Sequence, residues 1–202
     1  METSSIVLAG GKSLRLGSDK VLETIGKRSL LQLVVSRVTS LSQEVIIVTA
    51  GEQNISKSVD CSKLKVVTDI YPDKGPLGGI YTGLAASASF YNLVIASDMP
   101  FLNQDLLRYM IQLSVDFDLV VPRVGNLVEP LHAVYTKKCS APIEQMVKQN
   151  RLMINQLFPL IKTRYVEASE IEKFDPRHLS FFNVNTKADL KKARELAGGR
   201  ER

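Results

Sequence analysis

Four short apolar runs, residues 5–9, 44–49, 65–68 and 92–97, stand apart from longer stretches whose apolar positions recur at helical spacing. Each reads as a strand, and the first and the last have the apolar, β-branched character of buried strands. Between the first two, Leu30, Leu31, Leu33, Val34, Val38 and Leu41 share a helical face, and Ser29 is placed to cap that helix. Residues 72–79 mix proline and glycine too densely for regular structure, and a helix is expected from Ile80. After the fourth run, the pattern predicts a helix over about 103–113, capped by Asn103. It then predicts a strand over 117–121, a turn at Gly125-Asn126, a strand over 129–135 and a helix over 141–148. A short helix over 151–158, a strand over 164–166 and a terminal helix from Thr186 through Leu196 complete the chain.

This alternation of strands and helices predicts a three-layer α/β/α sandwich around a mostly parallel, Rossmann-like sheet, with the 129–135 strand antiparallel. At 202 residues the chain suits a single domain over 1–197, with 198–202 as a disordered tail. No internal repeat is visible. Cys61 and Cys139 fit neither a metal spacing nor a disulfide framework, and the N-terminus enters a strand without a signal peptide, so a cytoplasmic protein is expected. No apolar run approaches the roughly 20 residues of a membrane span. The net charge of +5 suits an anionic ligand, but no basic and aromatic residues interleave in the manner of a nucleic-acid surface. Neither a membrane nor a nucleic-acid partner is expected.

The chemistry concentrates where the first run ends, at Leu8-Ala9-Gly10-Gly11-Lys12-Ser13-Leu14-Arg15-Leu16-Gly17-Ser18-Asp19-Lys20. Open α/β sheets bind ligands at the carboxyl ends of their strands. Consecutive glycines let backbone N–H groups approach an anion, and Arg15 and Lys20 add two cations within the same loop. Two other phosphate motifs fail. A P-loop needs glycine where Ile6 stands, and the dinucleotide fingerprint needs glycine where Lys12 stands. A nucleoside triphosphate site remains.

This loop resembles the signature of the molybdenum cofactor guanylyltransferases, and later blocks agree in order. They are Asp69-Ile70-Tyr71-Pro72-Asp73-Lys74-Gly75-Pro76-Leu77-Gly78-Gly79-Ile80, Ser97-Asp98-Met99-Pro100-Phe101-Leu102, Glu129-Pro130-Leu131-His132-Ala133-Val134-Tyr135 and Phe182-Asn183-Val184-Asn185-Thr186. The first block alone marks the wider nucleotidyltransferase superfamily, and the five together mark this branch. The resemblance implies a fold of the nucleotide-diphospho-sugar transferase type. It implies transfer of GMP from GTP to the terminal phosphate of molybdenum-bound molybdopterin, releasing pyrophosphate. It also implies partners that deliver molybdopterin or assemble molybdoenzymes. A cytidylyltransferase, or an enzyme using another small phosphate acceptor, is the neighbouring reading. A GTP-binding assembly protein without catalysis is the reading from another class.

Carried onto this chain, Leu8, Ala9, Gly10, Gly11, Lys20, Asp69, Gly78 and Asp98 would bind nucleotide, with Arg15, Lys20 and Asp98 catalytic. Pyrimidine-using relatives tend to have Ala-Ala-Gly at the first block, so its backbone here is expected to read guanine. Asp98 is a cap or a metal ligand. Pro100 biases Met99 to an extended conformation and Asn103 is the better cap, which leaves Asp98 for Mg²⁺. Asn183 and Asn185 alternate with apolar residues, so they project to one face of an extended segment, which the resemblance puts at the metal or acceptor side, with acceptor binding expected. The base contact at the end of the second strand stays unassigned. His132 is expected to be a hydrogen-bonded structural histidine, and residues 167–179 suggest no chemistry.

Overall fold

The computed structural model describes residues 1–9, 23–51, 59 and 61–198. Strand β1 (Thr3–Leu8) is buried throughout and pairs in parallel with β4 (Glu44–Thr49) on one side and β6 (Tyr91–Ala96) on the other. Before β4, a two-stranded hairpin of β2 (Thr24–Ile25) and β3 (Arg28–Ser29) leads into helix α1 (Leu30–Val38). Ser29 caps α1 in a capping box with Gln32, as its place before the leucines predicts. Beyond β4 lies β5 (Leu64–Thr68), parallel to it.

Past β6 the sheet continues with β9 (His132–Thr136), β7 (Leu119–Val124) and β10 (Thr163–Glu167), giving the order β10-β7-β9-β6-β1-β4-β5. Only β9 runs against its neighbours along this path, and the short β8 (Leu127–Val128) folds back on β7. The chain builds outward from β1 to β5 and then crosses back to place β6 on the opposite side of β1. The carboxyl ends of β1 and β6 therefore meet at the point where strand order reverses, the usual ligand position in open α/β sheets.

Alternate residues on each strand feed two cores. Val7, Val45, Ile47, Leu93 and Ile95 pack with α1, α3 (Gln104–Leu113) and Ile171 of α5 (Ala168–Ile171). Ile6, Leu8, Ile46, Val48 and Val94 pack with α2 (Gly75–Ala86) and α4 (Ser140–Lys148). The expected three layers result. Helix α6 (Lys187–Gly198) joins Ile25, Leu30, Phe101 and Val184 in a smaller cluster. The terminal helix thus extends through Gly198, and residues 199–202 lie outside the described ones.

Helix α2 corrects the sequence reading, because it starts at Gly75 and not at Ile80. Pro76 sits in the first turn, where a missing N–H costs no helical bond. Close packing accounts for Gly78, Gly79 and Gly83, whereas Gly75 has open space around it and a φ of +61°. A Cβ on Gly83 would stand 2.3 Å from Cγ2 of Ile6, so the helix can lie on β1 only with glycine there. The short helix expected over 151–158 is replaced by two 3₁₀ turns, Ile154–Gln156 and Phe158–Leu160, the second with Pro159 in its first turn.

Candidate functional site

The carboxyl edge of the sheet gathers four segments that are distant in sequence. Ala9 N donates to Val48 O (2.9 Å), Asp69 N to Thr49 O (2.8 Å) and Ser97 N to Leu8 O (3.1 Å). Three inter-strand spacings separate β5 and β6, so the strand ends that lead to Asp69 and Asp98 stand about 15 Å apart along this edge. Leu8 and Ala9 lie between them. Gly10, Gly11, Arg15 and Lys20, the other expected donors to the site, lie outside the described residues.

Asp98 follows β6 in a turn, half-buried, ahead of the buried Met99, Phe101 and Leu102. Asn103 takes the capping role, accepting from the N–H groups of Asp105 and Leu106 at the start of α3. It also binds the late part of the chain, since its N–H donates to Ser180 Oγ (3.0 Å) and its Nδ2 to Phe174 O (2.8 Å). Val184 N then donates to Asp98 O (3.0 Å). The fully buried Val184 side chain anchors this segment, with the half-buried Asn183 and the exposed Asn185 on either side of it. Thr186 and Asp189 close a reciprocal cap on α6 directly afterwards, with Asp189 N on Thr186 Oγ1 (3.1 Å) and Thr186 N on Asp189 Oδ2 (2.8 Å). Asp98 and the two asparagines, 85 and more residues apart in sequence, therefore belong to one locality.

Glu129 is a further member, which the sequence reading quoted in a motif without giving it a role. The strand expected to start there starts at His132, because Glu129, Pro130 and Leu131 turn first, with His132 N on Glu129 O (3.0 Å). Burial, and then the negative charge of Asp98, push the Glu129 carboxyl above its ordinary range. A signal for this was present. If the 129–135 strand is antiparallel, its beginning lies at the edge where the parallel strands end.

Asp69 is held from two sides. Its Oδ1 accepts from Tyr71 N (3.0 Å) and from Thr82 Oγ1 (2.8 Å). Gly78 lies within the first turn of α2, where a Cβ would come within 2.6 Å of Tyr71 O and 3.2 Å of Asp69 Oδ2. Glycine at 78 therefore has a packing reason beside any ligand role.

His132 departs from expectation. It is fully buried, and neither ring nitrogen has a hydrogen-bond partner among the described residues. The ring meets Phe181 edge-on, with centroids 4.9 Å apart. Burial lowers its pKa to about 4, against the smaller opposing pull of Asp175, so the imidazole is neutral. Residues 167–179, without apparent chemistry in the sequence, contain Asp175, which accepts from Leu179 N and Ser180 N.

The carboxylates of Asp98 and Glu129 offer oxygen ligands, which suit a hard cation such as Mg²⁺. Among the described residues no three His, Cys, Asp or Glu side chains gather. A cation at Asp98 would complete its shell with phosphate oxygens and water, as Mg²⁺ commonly does.

Comparison with known proteins agrees with this geometry. Residues 5–160 match the MobA-like NTP transferase domain. This chain is a member of the MobA-like NTP transferase family. A probable molybdenum cofactor guanylyltransferase of Pelotomaculum thermopropionicum is 36% identical over 98% of this chain and 94% of its own length. The molybdenum cofactor guanylyltransferase of Syntrophotalea carbinolica is 33% identical, over 97% and 92%. Among solved structures, molybdopterin-guanine dinucleotide biosynthesis protein A of Archaeoglobus fulgidus superposes with a TM-score of 0.84 at 25% identity, covering 97% of this chain and 99% of that one. The matched region takes in Asp69, Asp98 and Glu129, while Asn183 and Asn185 lie beyond it. No helix among the described residues is long and apolar enough to cross a membrane.

Proposed function

We propose that this protein transfers GMP from GTP to the terminal phosphate of molybdenum-bound molybdopterin. An oxygen of the acceptor phosphate bonds to the α-phosphorus of GTP, the bond from that phosphorus to the β-phosphate oxygen breaks, and pyrophosphate leaves. A phosphate acceptor arrives already ionised, so the reaction needs alignment of two anions and neutralisation of charge more than it needs a strong base. The observation that carries this reading is the tie from Val184 N to Asp98 O. It puts the asparagine segment, taken as the acceptor side, against the end of β6, taken as the donor side.

Within this reading, Leu8, Ala9, Gly10 and Gly11 present backbone groups to guanine. Arg15 and Lys20 meet the triphosphate, and Asp69 and Gly78 complete the nucleotide wall. Asp98 would hold Mg²⁺, with Glu129 close enough for the two carboxylates to interact. The ion, when bound, supplies positive charge at the reacting phosphates. Asn183 and Asn185 offer carboxamides to the acceptor. Such a reaction suits a cytoplasmic enzyme that receives molybdopterin from a delivering protein and passes product to molybdoenzyme assembly.

The test is incubation of the purified protein with Mg²⁺, molybdenum-bound molybdopterin and either GTP or CTP, following pyrophosphate and the dinucleotide product. Guanylylated cofactor formed from GTP supports the reading. Product from CTP alone moves the protein to the cytidylyltransferases, and GTP binding without pyrophosphate release from any acceptor marks a non-catalytic assembly protein.

A further inference from the structure

The face of α2 toward Asp69 carries Gly78 and Thr82, four residues apart and so stacked on one side of the helix. Thr82 is 2% exposed. Its hydroxyl makes two bonds at once, donating to Asp69 Oδ1 (2.8 Å) and accepting from Ile70 N (2.9 Å). The same Oδ1 accepts from Tyr71 N (3.0 Å), an Asx turn that closes the ring over residues 69–71. Oδ2 takes no part in this ring and lies over Gly78, where a Cβ would come within 3.2 Å of it. One oxygen of the carboxylate is thus fixed by Thr82 and Tyr71 N, and the other lies over Gly78, where the absence of a side chain leaves room beside it.

We propose that Thr82 is the positioning residue for Asp69: its buried hydroxyl fixes Oδ1 so that Oδ2 is the oxygen that accepts from bound nucleotide. This rests on the reading of Asp69 as a nucleotide-binding residue. A buried hydroxyl that serves as donor and acceptor together cannot be replaced by an isosteric methyl without losing both bonds, which leaves Ile70 N without this acceptor and Oδ1 held by Tyr71 N alone. The loop would then be free to turn its carboxylate elsewhere while the fold persists.

Thr82→Val, Thr82→Ser, Asp69→Ala and the Thr82→Val/Asp69→Ala double variant test this, each by two measurements. Amide exchange of Ile70 and Tyr71 reports the ring directly, and calorimetric titration with Mg·GTP reports the nucleotide. Thr82→Val is expected to speed both amides by about 10-fold and to weaken GTP by about 3- to 10-fold. Thr82→Ser should restore both, and the double variant should bind GTP no worse than Asp69→Ala alone. Unchanged exchange in Thr82→Val overturns the proposal, since the hydroxyl would not be what holds the loop. Weakened binding by Asp69→Ala with normal binding by Thr82→Val also overturns it, by separating Asp69's role from its orientation. If Asp69→Ala itself binds GTP normally, the premise fails instead, and the exchange result still reports whether Thr82 anchors the loop.

Discussion

At the scale of residues, Asp98 bears the largest expected effect. Asp98→Asn keeps the shape of the side chain and removes its charge, so turnover should fall by about two orders of magnitude or more while GTP still binds. Lys20→Ala should instead weaken GTP binding as well as slow transfer, because a cation on the triphosphate acts in ground and transition states alike. Single-turnover rates beside GTP affinities separate the two. Near-normal transfer by Asp98→Asn across a range of Mg²⁺ concentrations would remove it as principal metal ligand. His132 gives a prediction of a different kind. Its pKa is 6.5 as an ordinary histidine and about 4 in the fold, so the folded state resists protonation that the unfolded chain accepts. The stability is complete above pH 6.5 and is lost as pH falls through 4, reaching about 3 kcal/mol. His132→Phe should show a shallower loss of denaturation midpoint between pH 6.5 and 4 than the parent protein. An identical slope in the two proteins would show that another group carries the acid sensitivity. The position of Asp98 was legible from its strand and from Pro100, whereas the lack of hydrogen-bond partners for the His132 nitrogens among the described residues was not, because a ring's surroundings come from segments that only folding brings near.

At the scale of elements, helix α2 shows how composition can mislead. Glycine and proline over residues 72–79 suggest loop by local propensity, yet Gly78 and Gly83 are where the helix meets Tyr71 and Ile6 at distances that leave no room for a Cβ. Tertiary approach overrides propensity, which costs only about 1 kcal/mol per glycine. Gly83→Ala should therefore destabilise, by about 1–3 kcal/mol, although alanine is the better helix former. Pairing it with Ile6→Ala should cost less than the two single changes together, since the second removes the atom that the first strikes. Denaturant midpoints of the four proteins decide this, and strict additivity would count against the collision. Where no such approach intervenes, local rules sufficed. Ser29, Asn103 and Thr186 cap their helices as their positions before apolar runs suggest.

At the scale of the whole molecule, α6 joins the end of the chain to its beginning. Leu190 and Ala193 are buried with Ile25, Leu30, Phe101 and Val184. Ending the chain at Thr186 should lower the denaturation midpoint and, by loosening Val184, weaken acceptor binding more than GTP binding. Equal loss of both affinities would show that α6 supports the fold alone. The sequence by itself determined the three layers, the mostly parallel sheet with one reversed strand, and the helix caps, because those follow from periodicity and short-range hydrogen bonding. It also singled out Asp98, since a carboxylate at the end of a buried strand is exceptional within its own few residues, whereas Asp69, at the end of the partly exposed β5, was singled out only through the resemblance. Only the tertiary structure decided that Glu129 comes close enough to Asp98 to feel its charge, that Val184 ties the asparagine segment to that aspartate, and that Thr82 holds Asp69. Those are pairings between strand ends, helix faces and loops 13 to 86 residues apart. Their partners are selected by sheet order and close packing, and neither is encoded in the spacing of residues along the chain.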